Sequence, residues 1–335
     1  MLIDGRWSSD WTPKDADDRG AFERKASTFR NWITANGEAG PTGDGGFAAE
    51  PGRYHLYVGL ICPWACRTLM VRKLKKLDSL IDVSIVNPSL SDQGWQFGGF
   101  PGATADALGN ASYMHEVYTR ADPRFTGRAT VPVLWDKQRG TIVNNESADI
   151  VRMLNTAFAA LAPASLDLYP DDLRAEIDAL NAAIYPRLNN GVYRAGFATS
   201  QAAYETAFAD VFGMLDDLES RLGKSGFLFG ERLTEADIRL FVTLIRFDAA
   251  YHGAFKCNLR RIADYPKLQA YTARMLGIEG LSETVSIAHI KAGYYSIKAI
   301  NPTGLVPVGP ILDLKPVTLR RKRPASCVSR PTRVR

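Results

Sequence analysis

Cys62 and Pro63 are the adjacent pair with the most chemistry to offer in this sequence. Proline is favoured at the first position of a helix, where its missing N–H costs nothing, so Cys62 falls at the N-cap of a helix over 63–76. Its sulfur would there face unpaired backbone N–H groups and the positive end of the helix dipole. Both favour thiolate over thiol and predict a lowered pKa, and the thiolate is the nucleophile. A buried structural cysteine at a strand–helix junction fits the same position, and the local sequence leaves both roles open. Cys66, Met70, Leu74 and Leu77 recur at helical spacing on one apolar face, which assigns Cys66 to packing.

The elements that must position Cys62 read as α/β. Tyr54–Val58 is an apolar strand ahead of the helix, and Ile81–Val86 a second strand after it. Residues 87–130 form a long Gly- and aromatic-rich insertion, read as a loop, and loops of that length inside a domain are usually functional. Val131–Trp135 and Thr141–Val143 then pattern as a hairpin turning at Lys137–Gly140. The polar cluster Asn144-Asn145-Glu146-Ser147 opens a helix carrying Ile150, Val151 and Leu154.

A linker with Pro163 and Pro170 follows, and from Asp172 to Tyr295 the period is helical throughout. The clearest start there is Thr234-Glu235-Ala236-Asp237, close to a capping box. The first 50 residues are a polar, Gly-rich arm with a short helix expected around Phe22–Trp32. Its aromatics (Trp7, Trp11, Phe22, Phe29, Trp32) predict packing on the body, since a floating tail carries fewer. The chain thus divides into an extension (1–50), an α/β domain (51–157) with its insertion (87–130), an all-helical domain (170–300) and a C-terminal extension (301–335).

Bulk composition excludes several classes. Hydrophobic residues make up 46% and charged ones 23%, as in an ordinary globular protein. No run reaches the roughly 18 apolar residues of a membrane span, and the start, MLIDGRWSSDW, lacks the pattern of a signal peptide. A cytoplasmic protein is expected. Eight basic residues and no acids lie in 315–335, so removing that tail takes the net charge from +5 to −3. The rest of the chain offers no basic face for nucleic acid. Four cysteines (Cys62, Cys66, Cys257, Cys327) and four scattered histidines suggest neither a disulfide framework nor a metal site.

Seven blocks in order, ICPWACR, DQGWQF, RATVPVLWDK, NNESADIVRML, NNGVYRAGFAT, HIKAGYY and INPTGLVPVGP, resemble the glutathionyl-hydroquinone reductases, the Xi class of the glutathione transferase superfamily. The resemblance spans about residues 1 to 314. It implies a thioredoxin-like domain followed by a helical one, no permanently bound cofactor, glutathione as co-substrate, and a homodimer. It makes Cys62 the nucleophile that takes glutathione from a glutathionyl-hydroquinone as a mixed disulfide, which a second glutathione resolves.

The resemblance also assigns the remaining site. Glu146 and Ser147 match the pair that holds the γ-glutamyl end, with local helix capping as their other possible role. Val131, ahead of a cis Pro132, would pair with the cysteinyl backbone. Arg128 matches a glutathione-contacting arginine, whose fork suits a carboxylate, and Trp95 a tryptophan beside the tripeptide. Tyr193 and Tyr294 match the acceptor-site tyrosines that would hydrogen-bond the leaving phenolate oxygen.

Two features depart from the family: Gly293 stands where a bulkier polar residue is usual, and 315–335 is an unusual ending. Two other functions stay open: a general omega-like thioltransferase or dehydroascorbate reductase, and a non-catalytic interaction module. Ordinary conjugation of electrophiles is disfavoured, because a reactive cysteine would trap the glutathione sulfur.

Overall fold

The computed structural model describes residues 1–9, 16–162, 166–223 and 226–312. The expectations for Trp11, Pro163 and the tail from Lys315 lie outside those residues. Two short strands, β1 (Leu2–Ile3) and β2 (Arg6–Trp7), pair antiparallel at the start of the chain. The main sheet is built on β3 (Tyr54–Val58), buried at every residue, as a strand covered on both faces must be. Behind it runs α1 (Pro63–Leu74), then β4 (Ile81–Ser91), which lies parallel to β3 with Tyr54 opposite Ile81. A βαβ unit of this kind puts the start of its helix at the carboxyl end of the first strand.

The insertion corrects the expectation of a loop. Beyond Val86, β4 continues to Ser91 and folds back as β5 (Gly94–Phe97), and α2 (Met114–Ala121) follows. Its turns hang on Asp106, a buried carboxylate that accepts from Tyr57 Oη at 2.9 Å and from the amides of Leu108, Gly109 and Ala111. Glycine-rich composition hid this order, because its anchor is a single acid bonded mostly to backbone.

The hairpin appears as β6 (Val133–Asp136) and β7 (Thr141–Asn144), giving the order β5-β4-β3-β6-β7, with β6 antiparallel to β3. The helix α3 (Ser147–Thr156) opens at Glu146, as the polar cluster predicts. No helix forms at Phe22–Trp32. That stretch lies along the edge strand instead, with Asn31 N donating to Val143 O at 3.0 Å and Asn145 N to Phe29 O at 3.1 Å. Covering an unpaired sheet edge outweighs local helical propensity here. Trp7, Phe29 and Trp32 pack against the core as expected.

The second half is helical: α4 (Arg174–Ile184), α5 (Gly191–Gly196), α6 (Gln201–Leu222), α7 (Glu235–Arg246), α8 (His252–Ala254), α9 (Pro266–Leu276) and α10 (Ile287–Ser296). Single-turn π segments, Tyr185–Asn189 and Phe247–Tyr251, join α4 to α5 and α7 to α8. The Thr234/Asp237 capping box starts α7. Helix α1 packs between α3 and α7 and buries Ala65 to Arg72 without a break. Being covered all round, it needs no single apolar stripe, and Leu74 is only partly buried. Cys66 is buried as expected, its thiol toward Thr284 O at 3.4 Å.

Candidate active site

Cys62 is the N-cap of α1, with extended backbone (φ −75°, ψ 120°) and Pro63 at the first helical position. Its thiol lies 3.5 Å from Val131 O, across the sheet end. The Val131–Pro132 peptide is cis. Burial pushes the Cys62 thiol above its ordinary value, against the pull of the Ala65 and Trp64 amides and of Arg246 and Arg24. The helix terminus and two guanidiniums stand where a lowered pKa would need them, but loss of water around the sulfur outweighs them.

The loop ahead of Cys62 is held from the other domain. Arg246, the last residue of α7 and fully buried, donates Nε to Ile61 O (2.7 Å), Nη2 to Leu60 O (2.8 Å) and Nη1 to Val242 O (2.7 Å). Three of its N–H groups go to backbone carbonyls and Cys66 is a further hydrogen-bond partner, while Cys62 feels it as a nearby charge. Nothing local in LIRFD signals this, since the partners lie about 185 positions away.

A cleft of about 1290 Å³ opens over the thiol, and every residue singled out from the sequence lines it: Cys62, Trp95, Arg128, Val131, Glu146, Ser147, Tyr193 and Tyr294. Glu146 also does the capping that its other role required, Oε1 accepting from Ala148 N at 3.1 Å, while Ser27 Oγ donates to Oε2 at 3.0 Å. Capping and lining are therefore compatible here. Ser147 Oγ points back to Glu146 at 3.5 Å, at the N-terminus of α3, where the helix end favours a carboxylate.

The opposite wall is aromatic. Tyr193 on α5 and Tyr294 on α10 join hydroxyls at 2.5 Å, and Tyr251 Oη meets Tyr294 Oη at 2.9 Å. Burial raises all three above the ordinary phenol range, so they are neutral at physiological pH. Tyr295 is turned away from the cleft, its hydroxyl against Gly253. Gly293 packs tightly: a Cβ there would sit 2.2 Å from Ile61 Cδ1 and 2.6 Å from Pro88 O. The departure at this position is thus fitted to the wall, and a bulkier side chain would have to displace it.

Several lining residues escaped the sequence. Arg24, from the N-terminal arm, stacks its guanidinium 4.9 Å from both the Trp64 and Tyr193 ring centres, with Nε donating to Asn190 Oδ1 at 2.9 Å. Arg67 lies buried 4.6 Å from the Trp64 ring centre, Nε and Nη2 without hydrogen-bond partners among the described residues. Burial and the nearby Arg239 push its pKa down to about 9. Stacking on aromatic faces is what the arginine fork allows and lysine does not. Among the described residues no His, Cys, Asp or Glu cluster could hold a metal, and no helix is long and apolar enough to cross a membrane.

This geometry can be set beside known proteins. Residues 61–157 match the glutathione S-transferase N-terminal domain and 201–274 the C-terminal domain. The chain is 53% identical over 316 residues to the glutathionyl-hydroquinone reductase YqjG of Escherichia coli, covering 94% of this chain and 96% of that one. The glutathione-bound structure of YqjG superposes with a TM-score of 0.87 at 51% identity, covering 93% of this chain and 96% of that one. With the glutathionyl-hydroquinone reductase PcpF of Sphingobium chlorophenolicum the identity is 50% over 323 residues, 96% of this chain and 99% of that one. The glutathione transferase Xi of Phanerochaete chrysosporium matches with a TM-score of 0.86 and 50% identity, over 90% and 96% of the two chains.

Proposed function

We propose a reaction on one premise: the chain belongs to the glutathione transferase superfamily and, within it, to the Xi-class glutathionyl-hydroquinone reductases. It is a glutathione-dependent reductase that removes glutathione from glutathionyl-hydroquinones. The observation that carries this function is the convergence of Cys62, the polar sheet wall and the tyrosine wall on one cleft.

In the first step the Cys62 thiolate attacks the glutathione sulfur of the conjugate. A proton has moved beforehand from a ring hydroxyl to the sulfur-bearing carbon, so the ring is in its keto form. The Sγ–S bond forms, the C–S bond breaks, and the electron pair passes into the ring to rest on oxygen as a phenolate. The two sulfurs are oxidised to a mixed disulfide and the ring is reduced; a proton from water completes the hydroquinone. A second glutathione thiolate then attacks the glutathione sulfur of the disulfide, releasing Cys62 as thiolate and oxidised glutathione as product. A raised cysteine pKa lowers the thiolate fraction, yet the thiolate that forms is the stronger nucleophile.

Each residue singled out from the sequence has a part in this scheme. Glu146 receives the ammonium of the γ-glutamyl end, and Ser147 with the α3 amides its carboxylate. Val131 backbone pairs with the cysteinyl peptide, Arg128 takes the glycyl carboxylate, and Trp95 flanks the tripeptide. Tyr193 and Tyr294 face the ring oxygen. The enzyme works in the cytoplasm as a homodimer, an assembly that sedimentation would check.

Turnover of a glutathionyl-hydroquinone with glutathione by wild type and Cys62→Ala tests the function. Wild type should release hydroquinone and the variant should fall to the uncatalysed rate. Equal rates would overturn the assignment of Cys62.

A further inference from the structure

Arg67 is a charge in the cleft that the reaction above leaves idle. It lies on α1 and is 2% exposed. Its Nε and Nη2 are buried with no hydrogen-bond partner among the described residues, and the guanidinium rests 4.6 Å from the Trp64 ring centre. Buried polar groups are normally paired, and an orphan calls for an ion, a water or a ligand to complete it. A buried cation is among the costliest groups to leave alone.

The carboxylates around it are committed elsewhere. Glu146, whose charge acts on Arg67 through space, accepts from Ala148 N and Ser27 Oγ. Glu235 takes Arg239 Nη2 at 3.2 Å, Arg152 Nη2 at 3.1 Å and Asn181 Nδ2 at 2.9 Å. Arg239 adds a like charge beside Arg67, with its own Nε buried and unpartnered among the described residues. Arg67, Arg239, Glu146 and Ser147 all line the cleft. The corner next to the N-terminus of α3 is therefore short of one anion.

An amino-acid end group matches that shortage. The γ-glutamyl residue carries an ammonium and a carboxylate on one carbon, so the two charges arrive together. With the ammonium on Glu146, the carboxylate falls beside it, where α3 supplies a helix-end partial charge and Ser147 a hydroxyl. Neither is a full cation. A guanidinium is, and its planar fork of N–H groups suits a carboxylate.

We propose that Arg67 is a binding residue for the γ-glutamyl carboxylate: with Glu146 it forms an opposed pair of charges that recognises the zwitterionic end of glutathione. This rests on the glutathione reading given above and names the residue on which selection of that end depends. The carboxylate brings the counter-charge this corner lacks and offsets the repulsion between Arg67 and Arg239. Stacking on Trp64 holds the fork before the ligand arrives, so little freedom is lost on binding.

Calorimetry on the full chain with two probes tests this. One is S-methylglutathione, whose thioether does not react with Cys62. The other has 4-aminobutyrate in place of the γ-glutamyl residue and so lacks only that carboxylate. Wild type should favour S-methylglutathione about 10- to 100-fold, the worth of a charge-assisted hydrogen bond. Arg67→Met keeps an apolar stem and removes the charge. It should weaken S-methylglutathione by about that factor and shift the analogue less than about 3-fold, so most of the preference disappears. Arg67→Lys, with charge but no fork, should restore part of it. Equal weakening of both probes by Arg67→Met would mark a structural role, and an undiminished preference would give the carboxylate to Ser147 and α3 alone; each overturns the proposal. Equal affinity of the wild type for the two probes overturns it without any variant. Failure of the wild type to bind S-methylglutathione at all would overturn the glutathione reading as well.

Discussion

The two walls of the cleft satisfy their polar groups in different ways. On the sheet side, Glu146, Ser147 and Val131 sit at strand and helix ends, and the capping contacts are local, Ala148 for Glu146 and Glu146 for Ser147. Ser27 reaches Glu146, and Cys62 reaches Val131, from farther along the chain. On the helical side, Tyr193, Tyr251 and Tyr294 come from three elements, and their hydroxyls bond across 101 and 43 positions of chain. The sheet wall offers fixed backbone and capping groups, suited to holding a peptide in register. The helical wall offers neutral phenols, suited to an oxygen whose charge appears only during reaction. In the proposed reaction, binding and leaving-group assistance fall to different halves of the chain, and Arg246 ties them by holding the Leu60–Ile61 carbonyls.

That division can be broken by removing the Tyr193 hydroxyl. Tyr193→Phe should lower hydroquinone release about 10²-fold, the usual cost of losing a donor to a developing oxyanion, and leave reduction of a glutathione mixed disulfide intact. Comparable losses on both substrates would show that the walls do not divide the work.

A second probe concerns the sheet wall alone. His55 on β3 is buried, with Nε2 2.9 Å from Ser84 Oγ, and burial holds its pKa down at about 4 against an ordinary 6.5. The folded-state pKa is depressed, so the unfolded chain binds the proton first. The stability His55 contributes is fully present above pH 6.5 and is lost as pH falls from 6.5 to 4, by about 3 kcal/mol in all. Urea unfolding at pH 7 and pH 4.5 should show a steeper loss for wild type than for His55→Leu. Parallel losses would mean that His55 is not the group responsible.

The smallest effect belongs to the helical side. Thr234 starts α7 through a capping box with Asp237, Thr234 N donating to Oδ2 at 2.9 Å. Thr234→Ala should cost about 1 kcal/mol of unfolding free energy and leave both activities unchanged at moderate temperature. A change in the ratio of the two activities would instead couple the cap to the tyrosines.

How much could be read from sequence follows the same division. Cys62 at a helix start, the capping role open to Glu146 and the Thr234 box depend on residues within a turn of one another, where propensity and spacing speak directly. The arm at Phe22–Trp32 misled because its conformation is set by pairing with Val143 and Asn145, a tertiary contact that local pattern cannot carry. The insertion hid its strand and helix because Asp106 organises it through main-chain amides. Arg24, Arg246 and Tyr251 were invisible for a related reason: each acts on a partner that only the fold brings near. At Cys62 the pull of the helix N-terminus is local and legible in sequence, while the burial that pushes the thiol the other way is set by the fold.

The central claim is that Cys62 takes glutathione covalently while the ring leaves. Mixing the enzyme with one equivalent of glutathionyl-hydroquinone and no glutathione, then measuring intact mass and free hydroquinone together, tests it most directly. The mechanism predicts one glutathione on each chain, located at Cys62, and one hydroquinone released for each adduct. Hydroquinone released with Cys62 unmodified would contradict it.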